Sequence, residues 1–108
     1  CGGSLIADNA VLTSARCAHL GFSVVKVGAG VTANIEKVVK YPDYIGSEYD
    51  FENNLAVVIL DRRIEGIRPV CMADPALEIT SGEELHILGW GQTGSIEVGG
   101  GGDPNILR

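Results

Sequence analysis

Cationic residues are scarce. Eight Lys and Arg stand against 14 Asp and Glu among 108 residues, a formal charge of −6. Neither nucleic acid nor an anionic membrane surface is expected as a partner, because both select a cationic face. Long apolar runs are missing as well, and no stretch approaches the roughly 20 residues that a membrane-spanning helix needs. Helical periodicity is almost absent: Ala15 to Leu20 has room for one turn, and Ala76-Leu77-Glu78-Ile79 is shorter still. Aromatic side chains make up only 6% of the chain. The three cysteines are an odd number, so at least one has no disulfide partner within the sequence.

What is present points to β structure. Apolar residues reach 45% and charged residues 20%, the balance of a packed globular protein and not of a disordered one. Fifteen glycines and four prolines supply many turns. Ser4-Leu5-Ile6 and Ala10-Val11-Leu12-Thr13 are short apolar runs separated by Asp8-Asn9. Phe22 to Val27 is rich in β-branched residues and ends at Gly28-Ala29-Gly30. Ile35 to Tyr41 carries apolar residues on both faces and ends at Pro42-Asp43. Leu55 to Leu60 is uninterrupted apolar sequence, as in a strand buried on both sides, and Leu85 to Trp90 reads as another strand. Regular strands with frequent Gly and Pro predict an all-β barrel or sandwich. Cys1 at the start and Ile106-Leu107-Arg108 at the end read as cuts in a longer chain.

Several features are weaker. Gly99 to Gly102 is followed by Asp103-Pro104-Asn105, which is turn chemistry and not a phosphate cradle. Asp43, Glu48, Asp50 and Glu52 lack the glycine and closing bidentate glutamate of a calcium loop, so a solvated surface loop is expected. Glu83 and Glu84 fail as a carboxylate pair, since neighbours on a strand point to opposite faces. His86 is expected to be a satisfied or surface histidine. Trp90 is expected in packing, and Tyr44 and Tyr49 as exposed contacts.

The densest signal is Cys1-Gly2-Gly3-Ser4-Leu5-Ile6 followed by Val11-Leu12-Thr13-Ser14-Ala15-Arg16-Cys17. Asn54 to Leu60, then Arg68-Pro69-Val70-Cys71-Met72 and Gly89-Trp90-Gly91-Gln92-Thr93-Gly94, continue it in order. Together these segments resemble the trypsin/chymotrypsin serine protease family. The resemblance implies the first half of a trypsin-like double β-barrel, with residues 1–108 covering the N-terminal barrel and the start of the linker to the second. It also implies where a catalytic triad would sit. The family's histidine motif reads Thr-Ala-Ala-His-Cys, and here Arg16 stands in the histidine's place. The family's aspartate motif reads Asp-Ile-Ala-Leu, and here Asn54 stands in the aspartate's place. The nucleophilic serine would lie beyond Arg108.

The chemistry of those two residues can be weighed by itself. A serine hydroxyl needs a neighbour that takes its proton near neutral pH and returns it later. Imidazole does this. Guanidinium stays protonated and has no lone pair to offer. A carboxamide in the third position carries no charge to stabilise an imidazolium, and that change alone costs such enzymes roughly 10⁴-fold in rate. His19 is the one nearby substitute base, and it would need a different local backbone to reach the cleft.

Cys1 and Cys17 flank 15 intervening residues. A metal pair is the rival reading for them, but no second Cys/His pair stands at ligand spacing. In the resembling family the two positions form a disulfide, which implies a secreted, oxidising setting. The same resemblance places the partner of Cys71 outside this stretch, and it implies no cofactor. Leu85 stands where many members carry another cysteine. With the short Gly28-Ala29-Gly30 connection and the two altered triad positions, this resembles the secreted glucanase inhibitor proteins of oomycetes. That implies a binding protein whose partner is a host plant endo-β-1,3-glucanase and whose effect is suppression of plant defence. The alternatives are an active secreted trypsin-like endopeptidase and a non-catalytic protease-homologue cofactor of an immune cascade.

Overall fold

The computed structural model describes residues 1–28, 30–46 and 51–91. They fall into two compact units, one spanning Gly3–Cys71 and the other joining Cys1–Gly2 to the chain from Met72 onward. The first is all-β apart from one short helix. Its strands are β1 (Ser4–Ala7), β2 (Ala10–Thr13), β3 (Val24–Val27), β4 (Val31–Lys40) and β5 (Ala56–Leu60), and α1 (Ala15–His19) follows β2. They form one antiparallel sheet in the order β1-β2-β5-β4-β3.

The last strand in sequence lies in the middle of the sheet. β5 pairs with β2 along one edge and with β4 along the other. This is why its sequence is apolar without interruption: Ala56, Val58 and Leu60 are fully buried, and Val57 and Ile59 are half-buried. Val58 and Leu60 join Val11, Ala33 and Ile64 in the core, ringed by Leu5, Phe22, Val25, Val27, Val31, Ile35 and Ile67. Backbone bonds tie the end of β5 and the loop after it to the turn between β1 and β2, from Leu60 N–H to Asn9 O at 2.8 Å and from Ile64 N–H to Asp8 O at 2.7 Å.

β4 serves two neighbours in turn. Its first four residues pair with β3, and the stretch from Ile35 pairs with β5 across an irregularity between Ile35 and Lys37. The strand therefore begins at Val31, four residues before the apolar run that signals it. Ala33 and Asn34 have weak strand propensity, and cross-strand pairing with β3 overrides it. β3 starts at Val24, and Phe22 packs against the core from outside the strand. Gly3 permits a close approach: a Cβ there would lie 2.7 Å from Val11 Cγ1 and 2.9 Å from the carbonyl oxygen of Leu12.

The second unit contains turns and no strand among the described residues. Leu77 N–H bonds Asp74 O, while Ala76 N–H bonds Asp74 Oδ1 at 2.8 Å. Glu83 N–H bonds Thr80 O, and Thr80 N–H bonds Glu83 Oε2 at 3.2 Å. The strand expected over Leu85 to Trp90 is not formed. Ile87 is 92% exposed and Leu85 and Leu88 are exposed too. An apolar run becomes a strand only beside a partner that satisfies its backbone, and no described residue pairs with it. Ala29, residues 47–50 and residues 92–108 lie outside the described residues, and with them Glu48, Tyr49, Asp50 and the glycine run at Gly99 to Gly102.

Candidate functional site

Thr13 ends β2, and Ser14 caps the helix that follows. Ser14 has extended backbone angles (φ −85°, ψ 148°), and its Oγ accepts the N–H of Cys17 at 3.1 Å. A second unpaired amide of the first turn belongs to Arg16. It donates to Asn54 Oδ1 at 2.9 Å, across 38 residues of sequence. An N–H can only donate, so the carbonyl oxygen of the Asn54 amide faces Arg16 and its NH₂ points elsewhere. The two residues that the resemblance sets at the triad positions are thus neighbours.

Asn54 reaches α1 because of the turn that precedes β5. Asn53 has φ 55°, the one positive value on a residue other than glycine among the described residues, in a region that Asn tolerates better than most. Leu55 N–H bonds Asn53 O at 2.9 Å, and Asn53 Nδ2 donates to Asp43 O at 3.4 Å. Tyr41 N–H bonds Leu55 O at 2.8 Å, where β4 runs out beside β5. On the other side, Cys17 is disulfide-bonded, as is Cys1. Cys71 is free and exposed, so the bond joins Cys1 and Cys17.

Arg16 is exposed. The ion pairs found among the described residues are Arg63–Asp8 at 3.7 Å and His86–Glu84 at 3.7 Å, and neither involves Arg16. His19 ends α1 with its Nδ1 3.5 Å from Lys40 Nζ. An ammonium has only donors, so His19 is the acceptor in that contact. Next to it, Leu12, Val39, Lys40, Tyr41, Pro42 and Leu55 line an open apolar cleft of about 270 Å³.

The remaining sequence-derived candidates lie apart from this site. His86 is an exposed surface histidine beside Glu84, and Glu83 closes a turn with Thr80. Trp90 and Tyr44 are both half-buried. Among the described residues no group of three His, Cys, Asp or Glu side chains could hold a metal ion. Sequence reasoning missed Ser14, Asn53 and Lys40. A serine before a short helical stretch is a capping signal. Asn53 left no mark beyond its residue type, and Lys40 reads as an ordinary strand-end lysine.

Chemically, a guanidinium and a carboxamide contain no group that accepts a proton near neutral pH. Asn54 does perform one task that any side-chain oxygen in its place would perform, which is to accept the Arg16 amide and lock α1 against β5.

The Trypsin family model matches residues 1–101 of the chain. Phenoloxidase-activating factor 1 of Holotrichia diomphalia is 30% identical over 86% of this chain and 34% of its own length. Trypsin of Phaedon cochleariae is 29% identical over 86% of this chain and 41% of its own length. Inactive serine protease scarface of Drosophila melanogaster is 30% identical over 85% of this chain and 16% of its own length. The chain thus spans well under half the length of these relatives.

Proposed function

The chain belongs to the trypsin family, and from that premise we propose that it is part of a secreted, catalytically inactive serine protease homologue that acts by binding a protein partner. Its antiparallel sheet is the first half of the family's double β-barrel. The family contains active proteases and inactive homologues alike, so fold does not decide between them. The observation that supports inactivity is the contact of Arg16 and Asn54, from the backbone N–H of one to the side-chain oxygen of the other, at the two positions where the resemblance sets the triad histidine and aspartate. The rival reading, a working endopeptidase with His19 as its base, has that imidazole engaged by Lys40 instead. The disulfide supports secretion, because such bonds persist in oxidising compartments.

The partner we propose is a host plant endo-β-1,3-glucanase, whose inhibition would withhold defence-eliciting glucan fragments. The test is the rate of a purified plant endo-β-1,3-glucanase with the full-length protein in molar excess. A dose-dependent fall in glucan hydrolysis is expected, and an unchanged rate sinks the glucanase assignment. A second reading is favoured by the likeness to a phenoloxidase-activating factor: a non-catalytic cofactor in an activation cascade. Its test is phenoloxidase activity in insect haemolymph with and without added full-length protein, where stimulation without any cleavage of peptide substrates supports the cofactor.

A further inference from the structure

We propose that Asp61 and Arg62 form a latch on an arm made of β3 and the start of β4, and that this arm opens as one unit while β2, β5 and the rest of β4 stay paired. Pairing sets the boundary of the arm. Val31 to Asn34 pair with Val24 to Val27, and only from Ile35 onward does β4 pair with β5. The irregularity between Ile35 and Lys37 falls at the changeover. Such an irregularity interrupts the ladder and bends the strand, which makes this point the hinge.

On the arm's side of the hinge, the two residues after β5 take over from its ladder. Asp61 N–H donates to Asn34 O at 3.0 Å. Asp61 Oδ1 accepts the Asn34 N–H at 3.1 Å, and Oδ2 accepts from Asn34 Nδ2 at 3.4 Å. Arg62 Nε donates to Thr32 O at 3.1 Å, and its Nη2 donates to the same oxygen. Ile35 N–H bonds Ser23 O, on the side of β3. Backbone groups alternate sides along a strand, so Thr32 and Asn34 present theirs on the opposite edge. That edge is where the latch sits.

The arm is lightly buried. Ala33 is the one buried residue of its two strand segments, and Val25, Val27 and Val31 are half-buried. β5 by contrast buries Ala56, Val58 and Leu60. A segment with few buried apolar side chains opens at a lower free energy than the whole sheet. In such a segment a few hydrogen bonds to a carboxylate and a guanidinium shift the opening equilibrium measurably. The other end of β4 is held separately, with Tyr41 N–H on Leu55 O and Lys40 beside His19. Opening the arm therefore leaves the Arg16–Asn54 contact in place.

The test is hydrogen–deuterium exchange of the full-length protein, read by mass spectrometry on peptides covering β3, β4 and β5. Asp61→Ala combined with Arg62→Ala is expected to speed exchange in β3 by at least about fivefold, the size of one hydrogen bond, and to leave β5 unchanged. The side chains of Asp61 and Arg62 bond β4 and not β3. Acceleration in β3 thus reports opening of the arm and not the loss of one local partner. Arg63→Ala, in the same loop but paired with Asp8, is the comparator and should leave β3 unchanged. Should the double variant fail to fold, the unaltered protein decides: β3 and Val31 to Asn34 are expected to exchange at one common rate, at least about tenfold faster than β5. Acceleration confined to Asn34, or equal acceleration in β3 and β5, overturns the proposal. So does exchange of β3 in the unaltered protein that is no faster than that of β5.

Discussion

The backbone N–H of Arg16 donates to Asn54 Oδ1 at 2.9 Å, tying the first turn of α1 to the residue that leads into β5. The bond separates two jobs that an aspartate at position 54 would do together. Accepting an amide hydrogen bond needs only an oxygen, which a carboxamide has. Stabilising a positively charged imidazole needs a negative charge, which a carboxamide lacks. Asparagine at position 54 does the first of these and cannot do the second.

Removing that acceptor should loosen α1. Asn54→Ala leaves a first-turn amide without its partner and is expected to cost about 1 kcal/mol in urea denaturation. Asn54→Asp restores the same oxygen with a charge, so stability should be held or slightly raised. Equal losses for both variants would show that the hydrogen bond contributes nothing.

Gly3 is expected to tolerate no side chain. A Cβ there meets the Leu12 carbonyl oxygen at 2.9 Å, and backbone in a paired strand cannot swing away as a side chain tip can. Gly3→Ala should destabilise by roughly 1–3 kcal/mol. Gly2→Ala, with nothing within 4 Å of the added atom, should be near neutral by thermal melting.

The core prediction concerns β5. Leu60 is 1% exposed at the centre of the sheet, and Leu60→Ala is expected to cost about 2–5 kcal/mol through lost burial and the cavity left behind. Leu20, 72% exposed just past α1, should change stability by no more than about 0.5 kcal/mol when replaced by alanine. Chemical denaturation of both variants checks the contrast.

Breaking the Cys1–Cys17 bond should also register. Closing a loop of 15 intervening residues stabilises by roughly 3 kcal/mol in the chain-entropy account. Denaturation midpoints before and after mild reduction should differ accordingly, and Cys17→Ser should match the reduced protein.

Much of this was legible from the sequence wherever a strand carries its own signal. The apolar run Leu55 to Leu60 announces a strand covered on both faces, and β5 is that strand, between β2 and β4. Val31 to Asn34 announces nothing, because its strand state is imposed by β3. Leu85 to Trp90 has the apolar content of a strand without a partner among the described residues, so pattern alone misled. At the site, the family resemblance singled out Arg16 and Asn54, and the structure places the two side by side. No spacing rule could show that the two are joined through the backbone of one and the amide of the other. Likewise, nothing local ties Lys40 to His19, 21 residues earlier, since the contact exists only because α1 folds down beside the end of β4.

The central claim is that Arg16 and Asn54 cannot support proton transfer to a nucleophile. Its most direct test is fluorophosphonate labelling of the full-length protein at neutral pH, run beside an active trypsin and a His19→Ala variant. The account predicts no labelling of the protein while trypsin is labelled fully. Stoichiometric labelling that disappears in His19→Ala would contradict it and make the molecule a protease with a relocated base.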